Sequence, residues 1–80
     1  INNMEIKPGQ IWKHYKGDTY KIVTLAKFKD ADLTDVVVYE RLTDLAHTGW
    51  RIYCRNKDNF LGKKDIDGKS IERFTFVSEN

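Results

Sequence analysis

His14, Tyr15 and Lys16 form the most distinctive polar run in this 80-residue chain. An imidazole titrates near neutral pH and can act as acid, base or hydrogen-bond donor. At the tip of a turn it would be exposed for recognition. The competing role is structural, with Trp12 and Tyr15 packing while His14 holds the turn by a hydrogen bond. Arg55 follows Arg51 by four residues, and a planar guanidinium suits carboxylates, phosphates and aromatic faces. An ion pair with a nearby acid, or bonds to loop carbonyls, would occupy it equally well. Trp12, Tyr39, Trp50 and Tyr53 are the types that line grooves for extended peptides or stacked bases. In so short a chain aromatics must also build the core, and Trp50, beside Gly49, is the one expected to stay outside it. The candidate ligand-binding set is therefore Trp12, His14, Tyr15, Lys16, Tyr39 and Arg55.

Other reactive types carry less. Cys54 is the only cysteine, so no internal disulfide forms, and no motif ties it to His14 or His47 as a nucleophile. A lone strand cysteine is expected to be a small buried hydrophobe. Two histidines and one cysteine on three separate segments lack the ligand spacing of a zinc site, so no metal is expected. Asp30, Asp32 and Asp35 alternate like a cation loop but lack its glycine and terminal glutamate, and read as a solvated connection. No glycine-rich phosphate loop occurs, and no cofactor is expected. These absences favour binding over catalysis.

The elements that must position these residues fit in one domain, because 80 residues leave room for a single core. The hydrophobic share is 40%, with two Trp, four Tyr, four Phe and one Pro. That is enough to fold without disulfide staples. The lone cysteine, the lack of a long apolar run and the lack of a signal-peptide pattern point to a cytoplasmic location. Ile1 to Asn3 precede the only methionine, Met4. Residues 1–6 read as a tag remnant or flexible terminus, 7–77 as the domain, and 78–80 as a flexible end. The formal charge of +2 is too small to imply a polyanion partner. Its distribution is uneven: residues 1–29 carry six Lys against two acids, and residues 30–48 five acids against Arg41.

Gln10 to Tyr15 and Thr19 to Phe28 are rich in β-formers and flank Gly17-Asp18, read as a two-residue hairpin loop. That register sets Tyr15 opposite Tyr20 and His14 opposite Lys21. It makes Ile11, Tyr15, Tyr20, Ile22, Ala26 and Phe28 the core face, and puts Trp12 on the other. Asp35 to Leu42 holds the apolar run Val36-Val37-Val38-Tyr39, expected to be buried on both faces. Trp50 to Cys54 is a fourth strand, Arg55 to Phe60 a short helical turn, and Asp67-Gly68 has the chemistry of a type I′ turn between Lys63–Ile66 and Lys69–Val77. The expected fold is mostly β, five to six short antiparallel strands closed into a small barrel so that no edge is left exposed, and a monomer.

Lys7-Pro8-Gly9-Gln10-Ile11-Trp12-Lys13-His14-Tyr15-Lys16-Gly17, followed by Tyr20, Ile22 and Val23, resembles domain-of-unknown-function family 1653, a group of short bacterial proteins. The likeness continues through Val37-Val38-Tyr39, Arg55 with Phe60, Asp67-Gly68-Lys69 and Arg73-Phe74. It departs at Asn56 and Glu72, where the family has Pro, and at Tyr53, where it usually has Trp. The resemblance implies an SH3-like β-barrel and brings no established activity, cofactor or catalytic residue. Taken together, the expected function is a small binding module for a peptide segment or small anionic molecule. The alternatives are a nucleic-acid-binding domain or, less favoured, a small enzyme using His14; no membrane partner is expected.

Overall fold

A computed structural model describes residues 5–43 and 51–80 of the chain. The architecture is mostly β. Strands β1 (Ile11–His14), β2 (Thr19–Phe28), β3 (Thr34–Arg41), β4 (Ile52–Asn56) and β7 (Phe74–Ser78) form one antiparallel sheet in the order β4-β3-β2-β1-β7. A separate hairpin holds β5 (Lys63–Ile66) and β6 (Lys69–Glu72). A 3-10 turn at Lys29–Ala31 and a single helical turn, α1 (Lys57–Phe60), complete the described elements. The two sheets are not closed into a barrel, and the strands number seven among the described residues. The expected Lys69–Val77 strand is in fact two, because at Arg73 the chain leaves the β5-β6 hairpin and crosses to pair with β1.

The second hairpin has the expected turn. Asp67 and Gly68 both hold positive φ, 52° and 79°, which is what a type I′ turn requires. Ile66 faces Lys69 across it. The first hairpin differs. Gly17 N–H donates to His14 O and His14 N–H to Asp18 O, both at 2.8 Å, so Tyr15-Lys16-Gly17 is a three-residue loop. Gly17 at φ 109° takes the left-handed position that ends such loops. This moves the register so that Trp12 faces Tyr20 and Lys13 faces Thr19. The side-chain alternation moves with it, and Trp12, not Ile11, points into the core.

The core contains Ile6, Trp12, Ile22, Val37, Tyr39, Phe60 and Phe74, with Tyr20, Tyr53, Leu61 and Phe76 packed against it. Each fully buried large apolar side chain contributes about 1.5–3 kcal/mol. Ile6 is 2% exposed, and Ser78 pairs with Ile11 across β7 and β1. Gln10 is buried within this apolar core at 1% exposure. Its Oε1 accepts from the Trp12 indole Nε1 at 3.0 Å and from Lys7 N–H at 2.9 Å, while its Nε2 donates to Glu5 O. A buried polar group costs little when it is fully paired, and Gln10 thereby ties the N-terminal segment to the central tryptophan.

Val37 and Tyr39 are buried, but Val36 and Val38 only partly so, because among the described residues the second face of the sheet is not covered as the apolar run suggests. A cavity of about 470 Å³ opens on that face, walled by Ala26, Phe28, Val36, Val38 and Cys54. Cys54 is exposed there rather than buried.

Candidate functional site

Phe74 is the floor of the candidate site. Its ring stacks on Phe60 at 4.0 Å with an interplanar angle of 10°, and the edges of Tyr20 and Tyr39 pack around it. His14, the last residue of β1, meets the same ring in a T-shaped contact at 4.9 Å, which follows from the pairing of His14 with Phe74 across β1 and β7. The Arg55 guanidinium lies over Phe74 with its carbon 5.4 Å from the ring centre, a cation–π arrangement. His14 and Arg55, distant in sequence, thus share one aromatic floor.

Arg55 is fixed on two sides. Its Nε donates to the Tyr39 hydroxyl at 3.1 Å and its Nη1 to Asn59 Oδ1 at 2.6 Å. Asn59 sits on α1, a turn that begins because the Asn56 side chain accepts from Asp58 N–H at 2.9 Å and caps it. Asn56 holds φ at −54°, a value proline also takes. The departure from the resembling pattern therefore keeps the backbone and gains a cap. Arg73, at the crossover between β6 and β7, donates from Nε to the backbone oxygen of the same Asn59 at 3.2 Å. Its own backbone is pinned by Arg73 N–H to Gly62 O and by Tyr15 N–H to Arg73 O, both at 3.0 Å. One asparagine therefore anchors two guanidinium groups. Among the described residues no carboxylate pairs with either; the ion pairs formed are Lys27–Asp35, Arg41–Asp18 and Arg51–Glu40.

The electrostatics of His14 follow from this setting. Burial lowers its imidazole pKa below the ordinary value, and Arg55, Lys16 and Arg73 lower it further; Asp18 acts in the opposite sense. Nδ1 accepts from Lys16 N–H at 3.1 Å, so in the neutral ring the proton sits on Nε2, which is left as a donor. Asp18 is the carboxylate that acts electrostatically on His14, but its oxygens are taken by Arg41 at 3.4 Å and by the Thr43 hydroxyl at 3.3 Å. Among the described residues, no three His, Cys, Asp or Glu side chains converge to hold a metal ion.

Of the six residues singled out from sequence, His14, Tyr15, Lys16 and Arg55 gather at this corner. The Tyr15 ring leans on His14 at 4.4 Å, and the Lys16 ammonium lies 5.9 Å from the Tyr15 ring centre. Trp12 does not line the surface. It is 1% exposed, wedged edge-on between Phe60 and Phe76, because the three-residue loop turns its face inward. Tyr39 is 4% exposed and serves by its hydroxyl, which holds Arg55. The expected aromatic groove does not open at Trp12 and Tyr39, Tyr53 packs against Tyr39 at 6.0 Å, and Trp50 and His47 lie outside the described residues. Arg73, Asn59 and Phe74 are absent from the sequence-derived set, although Arg73-Phe74 belongs to the resembling pattern.

The family profile described as a protein of unknown function, DUF1653, matches residues 10–76. The chain belongs to the DUF1653 family. A crystal structure of a DUF1653 protein from Bordetella bronchiseptica is similar over 92% of this chain and 90% of that one, at 32% identity and a TM-score of 0.75. No curated protein matches the chain. The DUF1653 match takes in His14, Arg55, Asn59 and Arg73, so the whole candidate corner lies within the matched span.

Proposed function

We propose that this DUF1653 domain is a binding module, and that the corner formed by His14, Arg55 and Arg73 receives an anionic group carried by a peptide segment or a small molecule. One observation carries the reading: two guanidinium groups are held by the same asparagine with no acidic side chain among the described residues to neutralise them. Half-buried cations that are already positioned lose little side-chain freedom when a ligand arrives, and that favours affinity. The His14 Nε2–H adds a neutral donor beside them. The domain works in this reading as a cytoplasmic monomer that recognises rather than transforms its ligand. Among the described residues no helix is long and apolar enough to cross a membrane.

Backbone amide spectra of the isotope-labelled chain, recorded during titration with inorganic phosphate and separately with a short single-stranded oligonucleotide at two salt concentrations, test this reading. Saturable shifts confined to residues 14–18, 55–60 and 73–74 with phosphate support it. Oligonucleotide binding that spreads over the surface and weakens steeply with salt would favour a nucleic-acid-binding domain instead. Silence in both titrations would refute anion recognition at this corner.

A further inference from the structure

We infer that the anionic group taken at this corner is a terminal phosphate monoester; this rests on the reading of His14, Arg55 and Arg73 as an anion site. Charge is the first argument. The two guanidinium groups are permanent cations with no carboxylate partner among the described residues, while His14 is neutral with its Nδ1 committed to Lys16 N–H. With the Lys16 ammonium also at this corner, the complement favours a dianion over a monoanion. A phosphate monoester carries about −1.5 to −2 at neutral pH, whereas a carboxylate or an internal phosphodiester carries a single negative charge.

Donor geometry is the second argument. In both arginines the Nε–H is already spent, on Tyr39 Oη in one and on Asn59 O in the other. The side-on edge of each guanidinium, Nε with one Nη, is therefore closed to the parallel two-bond grip that planar carboxylates take. What remains is the Nη groups of Arg73, the Nη2 and the second Nη1–H of Arg55, and Nε2–H of His14. These donors belong to three elements, the β6-β7 crossover, β4 and the end of β1, that meet at Phe74 and Asn59. A tetrahedral phosphate ester offers three terminal oxygens, one for each donor group, and keeps its fourth position for the ester oxygen that leads to the rest of the ligand. A carboxylate, with two oxygens in one plane, can still bridge the two Nη groups of Arg73 but cannot set a separate oxygen against each of the three donor groups.

The phosphate is the shared chemistry of two sources, a phosphorylated amino-acid side chain and a nucleoside monophosphate. Calorimetric titration of the full chain near neutral pH with phenyl phosphate, dimethyl phosphate, acetate, O-phosphoserine and adenosine monophosphate tests the inference. Phenyl phosphate is expected to bind at least about tenfold more tightly than acetate or dimethyl phosphate, as one additional ligand charge facing two cations requires. Arg73→Lys, which keeps the charge but not the fork, is expected to lose most of that preference with an unchanged backbone spectrum. Arg55→Lys provides the same comparison should the Arg73 variant not fold. Whichever of O-phosphoserine and adenosine monophosphate binds more tightly identifies the carrier. Equal or tighter binding of acetate or dimethyl phosphate overturns the monoester inference while leaving the anion site intact. Failure of every anion to bind overturns both.

Discussion

Arg55 and Arg73 donate to two different oxygens of one residue, Asn59: Arg55 Nη1 to the side-chain oxygen at 2.6 Å and Arg73 Nε to the backbone oxygen at 3.2 Å. The two cations come from segments distant in sequence and would repel if left to themselves. Asn59 holds them because α1 is fixed at its start by the Asn56 cap and at its end by Phe60, which is stacked on Phe74. The aromatic core thus sets the position of a polar corner at its edge.

Phe74 links the two. Phe74→Ala removes a fully buried ring that touches Phe60, His14, Tyr20 and Tyr39. The change is expected to cost about 3–5 kcal/mol, read as a lower urea midpoint with little change in slope. Trp12→Ala should cost a similar amount, since both are core side chains. A loss below about 1 kcal/mol at Phe74 would contradict its place at the centre of the core.

Tyr39→Phe leaves the ring packing intact and removes only the acceptor for Arg55 Nε. Stability is expected to fall by about 0.5–1.5 kcal/mol, and phosphate affinity should drop because Arg55 is less well held. A double-mutant cycle with Arg55→Lys separates positioning from bulk stability: the two changes should be non-additive in phosphate affinity. Simple additivity would mean that the hydroxyl does not hold Arg55.

Gln10 makes a further prediction. Gln10→Ala leaves the Trp12 indole N–H buried with no acceptor, and a lost buried partner costs about 1–3 kcal/mol. The loss should be accompanied by faster amide exchange at Lys7, whose N–H is bonded to the same oxygen. Unchanged exchange at Lys7 would exclude Gln10 as the tie of the N-terminal segment.

The hairpins show what local sequence conveys and what it does not. Asp67-Gly68 is legible because few residue pairs accept two consecutive positive φ angles, and the structure has that turn. Gly17-Asp18 looks equivalent, but a glycine also serves as the left-handed closing residue of a three-residue loop, and nothing in the sequence separates the two uses. That single ambiguity reverses the facing of β1 and moves Trp12 from a candidate contact to the core. Arg73 is hidden for a different reason: its role depends on a chain that changes sheets, which is set by long-range pairing rather than by the alternation of residues 69–77. His14, Tyr15, Lys16 and Arg55 are legible because polar and cationic groups at strand ends and loops tend to stay accessible.

His14 also makes stability depend on pH. Its folded pKa lies below the ordinary 6.5, with burial the largest cause and Arg55, Lys16 and Arg73 next. Between the folded pKa and about 6.5 the unfolded chain binds more protons, so stability decreases as pH falls through this window and this contribution is fully present only above it. Protonation also makes Nδ1 a donor and breaks its bond from Lys16 N–H. His14→Asn should flatten the slope of the urea midpoint in the window just below about pH 6.5. An unchanged slope would place the titration elsewhere.

The most direct measurement follows the Nε–Hε resonances of Arg55 and Arg73 as phosphate is added near neutral pH. Both are expected to shift together along one saturation curve, and in the Asn59→Ala chain, which loses the side-chain acceptor that fixes Arg55 but keeps the backbone oxygen that holds Arg73, the Arg55 shift should weaken at a given phosphate concentration. Two guanidinium signals that stay fixed while phosphate perturbs other parts of the surface would contradict a shared anion site at this corner.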